Sequence, residues 1–138
     1  MKPYRLAYVV EDDPITALIT EVYVKRSVEG CDEVAHYLDG QQAFDQLLLA
    51  QRGESRVPDL ILLDLNMPFM DGWDFLEAFK ELPLSKNVPV FLLTSSIRPE
   101  DRARADTYQA VRGYFSKPLD DAKAAQMSQL LKTSVAGA

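Results

Sequence analysis

The sequence predicts a five-stranded parallel α/β sheet covered by helices on both faces. Two observations carry that prediction. Short apolar runs alternate with helix-period patterns along the whole chain, and the strand-like runs are nearly continuous in hydrophobic residues, as strands buried on both faces must be. A third observation bounds it: 138 residues, 47% hydrophobic and 26% charged, suit one soluble domain with a real core.

The elements follow in order. Leu6 to Val10, "LAYVV", reads as a buried strand. Asp13-Pro14 supplies a cap and a first-turn proline, and Ile15, Leu18, Ile19 and Val22 follow at helical spacing. "EVAHYL", Glu33 to Leu38, alternates and suits an edge strand. Asp39-Gly40 breaks it, and Ala43, Phe44, Leu47 and Leu48 form the next helix face. A polar stretch, "AQRGESRVP", leads into the third strand, which ends on Asp64. After Asp71-Gly72 comes a helix with Phe75, Leu76 and Phe79 inward, closed by Pro83. "VPVFLLT", Val88 to Thr94, is the fourth strand and "VRGYF", Val111 to Phe115, the fifth. A last helix from about Asp120 carries Met127, Leu130 and Leu131. The domain is expected to span 1–138, with its core over about 6–131 and a frayed tail at 133–138. Between strands four and five, "RPEDRARADTYQA" is mostly charged, so a loosely held, solvated helix is expected there.

Net charge is −6, which disfavours a nucleic-acid surface or an anionic membrane. The lone Cys31 offers no internal disulfide, and the N-terminal apolar run is too short for a signal peptide or span. A cytoplasmic protein is the expectation.

In a parallel sheet every strand ends on the same edge. Glu11, Asp12 and Asp13 after strand one therefore meet Asp64, Thr94 and Lys117 at the edge where such folds bind ligands. An acidic triplet before a helix is ordinarily a cap, and Asp13 beside Pro14 fits that role. Crowded carboxylates need a cation to stay ionised, and oxygen-only donors favour a hard ion, Mg²⁺. A metal beside Asp64 makes its carboxylate a nucleophile toward phosphorus, with Lys117 and Thr94 able to hold phosphate oxygens.

The motifs "VVEDDP", "LILLDLNMPFMDG", "FLLTSS" and "GYFSKPL", in this order and at these separations, resemble the response-regulator receiver domains of two-component signalling, over about Leu6 to Leu131. The resemblance implies a flavodoxin-like doubly wound sheet of order 2-1-3-4-5. It implies Glu11 and Asp12 as the acidic pair and Asp64 as phosphoacceptor and Mg²⁺ ligand, with the Asn66 backbone carbonyl also on the metal. It further implies Thr94 as the switch hydroxyl, Lys117 as the phosphate-contacting lysine before a cis proline, and Tyr114 as the aromatic that reports activation. Asn66 and Ser96 stand where the family tunes dephosphorylation. Glu11 replaces the commoner Asp, and the usual Gly-Ala before strand five is missing.

A stand-alone receiver is therefore expected, phosphorylated by a sensor histidine kinase or histidine phosphotransfer protein. It is expected to be a monomer or weak homodimer that signals to a downstream protein through the surface of the fourth helix, fifth strand and last helix, with no nucleic acid or membrane partner. The alternative is a phosphorylation-independent interaction module of the same fold. A haloacid-dehalogenase-type phosphatase would need a second aspartate where Asn66 stands, and a flavodoxin-like electron carrier would need a neutral phosphate loop where "EDD" stands. His36 reads as an edge-strand histidine rather than a phosphodonor, Trp73 as packing rather than an anchor, and Arg98, Arg102, Arg104 and Arg112 as solvated charge.

Overall fold

The computed structural model describes residues 4–28, 31–95 and 98–136. Five strands alternate with five helices: β1 (Leu6–Val10), α1 (Pro14–Ser27), β2 (Glu33–Tyr37), α2 (Gly40–Gln51), β3 (Leu60–Leu63), α3 (Gly72–Lys80), β4 (Val90–Thr94), α4 (Pro99–Ala105), β5 (Val111–Ser116) and α5 (Asp121–Ala136). The sheet is parallel throughout, in the order β2-β1-β3-β4-β5. This is the doubly wound flavodoxin-like order, and crossover helices on both faces are its consequence.

Alternate strand residues feed two cores. Tyr8, Val10, Ile61, Leu63, Val90 and Leu92 face α2 and α3, where they meet Leu47, Phe75 and Leu76. Val9, Leu60, Leu62, Phe91 and Leu93 face α1 and α5, where they meet Ala17, Val24, Met127 and Leu131. The central strands are buried along their full length. β2 is only partly covered, as an edge strand should be.

Helix starts obey local chemistry. Asp13, Asp39 and Asp71 each cap a helix by accepting a backbone N–H three residues on. Asp71 and Asp74 form a reciprocal capping box.

Two segments read from the sequence turn out differently packed than their patterns alone suggest. Ile15, Leu18, Ile19 and Val22 do lie on α1, but they face outward. The buried residues are Ala17, Thr20 and Val24, whose small or branched side chains let the helix lie close to the sheet; the Thr20 hydroxyl donates to the Thr16 carbonyl at 2.8 Å. The charged segment after β4 is mostly solvated, as expected, but two of its arginines rest on aromatic rings. Its helix is short, and its Asp101 and Ala105 are buried. Arg104 stacks on the Trp73 ring at 4.4 Å, and Arg102 lies 5.8 Å from the centre of the Tyr114 ring. Trp73 in turn stacks on Tyr108, at 6.1 Å and 26° between planes, so it packs as expected. Among the described residues, no helix is long and apolar enough to cross a membrane.

Candidate functional site

The last rungs of the sheet set the site. The Asp64 N–H donates to the Val10 carbonyl at 3.0 Å, and the Glu11 N–H to the Tyr37 carbonyl at 2.9 Å. The ladder thus runs one residue past β3 and β1, which fixes the backbones of Asp64 and Glu11 side by side. Lys117 is placed in the same way from the other side of the sheet, its N–H donating to the Thr94 carbonyl at 2.9 Å. The Lys117-Pro118 bond is cis.

The side chains converge. Carboxylate oxygens of Glu11, Asp12 and Asp64 all lie within 4.8 Å of one another. Glu11 and Asp64 are buried and Asp12 is exposed at the mouth. The Lys117 ammonium bridges the buried pair, 2.6 Å from Glu11 Oε1 and 2.8 Å from Asp64 Oδ2. Asp64 Oδ1 accepts the Asn66 N–H at 3.2 Å, and Glu11 Oε2 accepts the Asp13 N–H at 3.1 Å.

Electrostatics follow from this crowding. Burial pushes the Glu11 carboxyl up to about 7; hydrogen bonds from Lys117 and the Asp13 N–H oppose that, and the Asp64 charge adds to it. Burial works against the Lys117 ammonium, but its bonds to Asp64 and Glu11 outweigh burial and raise its pKa. One lysine cannot neutralise three carboxylates, so the site keeps a surplus of negative charge. Its donors are all oxygen, which suits Mg²⁺ and not a soft ion.

Thr94 ends β4, fully buried. Tyr114 is half-buried on β5 against the α2/α3-side core. Asn66 is exposed at the mouth. Ser96 lies outside the described residues. Asp13 caps α1 through Thr16, as expected of it. His36 is exposed on β2, its Nε2 2.7 Å from the Glu11 carbonyl oxygen, so it braces the acidic loop rather than entering the site.

Sequence reasoning missed the scaffold under Asp64. A Cβ on Gly72 would sit 2.6 Å from the Asp64 carbonyl oxygen and 2.7 Å from Leu65 Cα, so only glycine lets the start of α3 abut the end of β3. The Gly40 N–H holds the same loop through the Met70 carbonyl at 3.2 Å. Both glycines follow an aspartate cap, and that Asp-Gly pattern is the signal that marks them.

The model of the response regulator receiver domain matches residues 7–129. The chain belongs to the response-regulator receiver family. Among its relatives, the probable methanogenesis regulatory protein FilR2 of Methanothrix harundinacea is 30% identical over 117 residues, 85% of this chain and 74% of FilR2. A two-component response regulator from Cytophaga hutchinsonii superposes with a TM-score of 0.82 at 26% identity, covering 96% of this receiver and 98% of that chain. The phosphorylated cyanobacterial phytochrome response regulator RcpA superposes with a TM-score of 0.76 at 27% identity, covering 98% and 96%. The receiver therefore shares its sheet order and its acidic strand ends with a signalling family whose acidic pocket binds Mg²⁺.

Proposed function

We propose that this receiver is switched by phosphorylation of Asp64, and the convergence of Glu11, Asp12, Asp64 and Lys117 at one strand edge carries the reading. The donor is a phosphohistidine on a sensor histidine kinase or a histidine phosphotransfer protein. An Asp64 oxygen attacks phosphorus as the P–N bond breaks, and the electron pair of that bond stays on the donor imidazole nitrogen. The phosphorylated state of RcpA, a structural relative, supports the assignment by analogy.

Glu11, Asp12, Asp64 and the Asn66 carbonyl would hold Mg²⁺, which when bound offsets negative charge on phosphate oxygens. Lys117, now shared between Glu11 and Asp64, turns one contact to a phosphoryl oxygen and keeps its charge beside the new anion. The Thr94 hydroxyl, at the end of the neighbouring strand, donates to a second oxygen. Asn66, at the mouth, tunes entry of the hydrolytic water, and Ser96 is assigned a share of that role by its place in the sequence.

The acyl phosphate carries up to about two negative charges in place of the single charge of the Asp64 carboxylate, and brings three acceptor oxygens. Thr94 and Lys117 bind that charge only in one loop arrangement, so phosphorylation shifts an existing equilibrium. Tyr114 follows Thr94, and the surface of α4, β5 and α5 changes for a downstream protein. The receiver acts as a signalling phosphoacceptor, not a metabolic enzyme, as a monomer or weak homodimer.

Intact mass after incubation with Mg²⁺ and acetyl phosphate tests this reading. A labile adduct of one phosphoryl group is expected, absent in Asp64→Asn and with EDTA. An adduct that persists in Asp64→Asn would remove Asp64 from its role. No adduct from acetyl phosphate or from any histidine kinase would leave a phosphorylation-independent interaction module.

A further inference from the structure

Phe69 combines two anomalies in one residue. It is 92% exposed, well above any other large hydrophobic residue among those described. It is also the one described non-glycine residue with positive φ, at 66°. A bulky side chain in the left-handed region is disfavoured, and an exposed phenyl ring contributes nothing to the core. The loop around it is not loose. The Asn66 N–H is bonded to Asp64, the Met70 carbonyl to Gly40, and the Gly72 N–H to the Leu65 carbonyl at 3.0 Å. The backbone is therefore pinned on both sides of a ring that is held out into solvent.

The position of the ring says what covers it. Phe69 lies five residues after Asp64, in the β3–α3 loop at the carboxyl edge of the sheet. Asp64 itself is buried, so a donor must approach over that edge to reach it. Ile15 in the first turn of α1 is 70% exposed, and Leu38 before α2 is exposed too, so β2, β1 and β3 are each followed by an exposed apolar side chain. The exposed acids Asp12 and Asp13 at this edge oppose an approaching phosphoryl group, so contacts around it gain weight in holding the donor. Apolar contact adds affinity there, and a rigid, pre-placed aromatic is an efficient form of it.

We propose that Phe69 is a specificity-determining contact for the protein that phosphorylates Asp64, entering an apolar pocket beside the donor histidine. The inference rests on the proposed phosphoacceptor role. Acetyl phosphate carries no protein surface to cover the ring, so Phe69 should separate protein donors from small ones.

Phe69→Gly and Phe69→Ala are the test, with wild type profiled against every purified histidine kinase and histidine phosphotransfer protein of the source organism. Glycine suits a φ of 66°, so Phe69→Gly folds with an unchanged or raised Tm and isolates recognition from stability. Phosphorylation by acetyl phosphate is expected to stay within about twofold of wild type in both variants. Transfer from the preferred protein donor is expected to fall about tenfold or more in kcat/KM, mostly through KM, as loss of a central aromatic anchor does. Equal losses with both donors, or no loss with the protein donor, would overturn the proposal. If no protein donor phosphorylates wild type, the phosphotransfer reading itself fails, and that outcome is separate.

Discussion

The Lys117 ammonium lies 2.6 Å from Glu11 Oε1, which joins the residue after β5 to the residue after β1 across two intervening strands. The same nitrogen holds Asp64 at 2.8 Å. One cation therefore ties together strand ends that the sheet alone would leave as repelling carboxylates. Both carboxylates are nearly inaccessible, so the pair is screened far less than the exposed ion pairs elsewhere on the surface.

Removing that cation should be felt in stability before it is felt in chemistry. Lys117→Ala leaves two buried carboxylates facing each other, and unfolding free energy is expected to drop by about 2–4 kcal/mol at pH 8. The loss should shrink near pH 6, where Glu11 takes a proton instead. Mg²⁺ should raise the Tm of Lys117→Ala by more than it raises wild type, because the ion then replaces the missing charge. Thermal melts with and without Mg²⁺ at both pH values check all three, and an equal Mg²⁺ effect in the two proteins would place the ion elsewhere.

With the Glu11 carboxyl raised to about 7, Mg²⁺ affinity at the proposed site is expected to depend on pH. A metal ligand must lose its proton, so below pH 7 the proton competes with the ion. Affinity should fall by about tenfold per pH unit below 7 and level off above it. Binding should release up to one proton on the acid side and almost none at pH 8.5. Calorimetric titration of Mg²⁺ in two buffers of different ionisation enthalpy reads both quantities. A flat affinity from pH 5.5 to 8.5 would mean that Glu11 is already ionised.

Asp59 should make a separate, modest contribution to stability. Its Oδ2 accepts the N–H groups of Arg5 and Leu6 at 2.8 and 2.9 Å, and Lys86 pairs with Oδ1. Burial opposes its charge, but the Lys86 bond and the two backbone bonds outweigh burial and lower its pKa below the ordinary aspartate value. A depressed carboxyl stabilises the fold above its unfolded pKa of about 4, and that stabilisation is lost as pH falls through the lower folded value. Asp59→Ala is expected to destabilise by about 1–2 kcal/mol at pH 7 and by little at pH 2.5. Urea melts at the two pH values measure the difference.

How far the sequence carries is visible residue by residue. Asp64, Glu11, Asp12 and Lys117 were legible because alternation of strands and helices forces all strand ends onto one edge, and these residues stand at the ends. The face α1 buries was not legible. Ile15, Leu18 and Val22 mark an apolar stripe, but periodicity finds a stripe without saying what covers it, and close approach to the sheet selected Ala17 and Thr20 instead. The anchoring of α4 was hidden for a related reason. A guanidinium and an ammonium count alike as charge, yet Arg104 lies over the Trp73 ring, a contact made between residues far apart in the chain. The left-handed backbone at Phe69 left no trace either, since glycine is what normally signals it.

Arg104 and Trp73 give the fold a built-in reporter. Trp73 is the single tryptophan, stacked on Tyr108 and contacted by the Arg104 guanidinium of α4. Arg104→Ala is expected to destabilise by about 0.5–1 kcal/mol and to increase quenching of Trp73 fluorescence by acrylamide. In wild type, phosphorylation that moves α4 should change the same quenching. Steady-state fluorescence before and after acetyl phosphate addition tests this, and unchanged quenching in Arg104→Ala would show that the guanidinium does not shield the ring.

Gly72 offers the sharpest test of how the scaffold holds Asp64. Its N–H donates to the Leu65 carbonyl, and an added methyl would press on the Asp64 carbonyl oxygen and on Leu65 Cα and Cδ2, all within 2.9 Å. Two of these are backbone atoms at the end of a fully buried strand, so they cannot swing aside as a flexible side chain would. Gly72→Ala must move either α3 away from the sheet or Asp64 away from Glu11. Overpacking of this kind is expected to destabilise by about 2–3 kcal/mol despite the better helix propensity of alanine. Displacing Asp64 should also weaken Mg²⁺ binding, which a surface helix substitution would leave alone. Denaturant melts and Mg²⁺ titration on one preparation separate the two responses: a stability loss with intact Mg²⁺ affinity would mean that α3 moves and the carboxylate cluster does not.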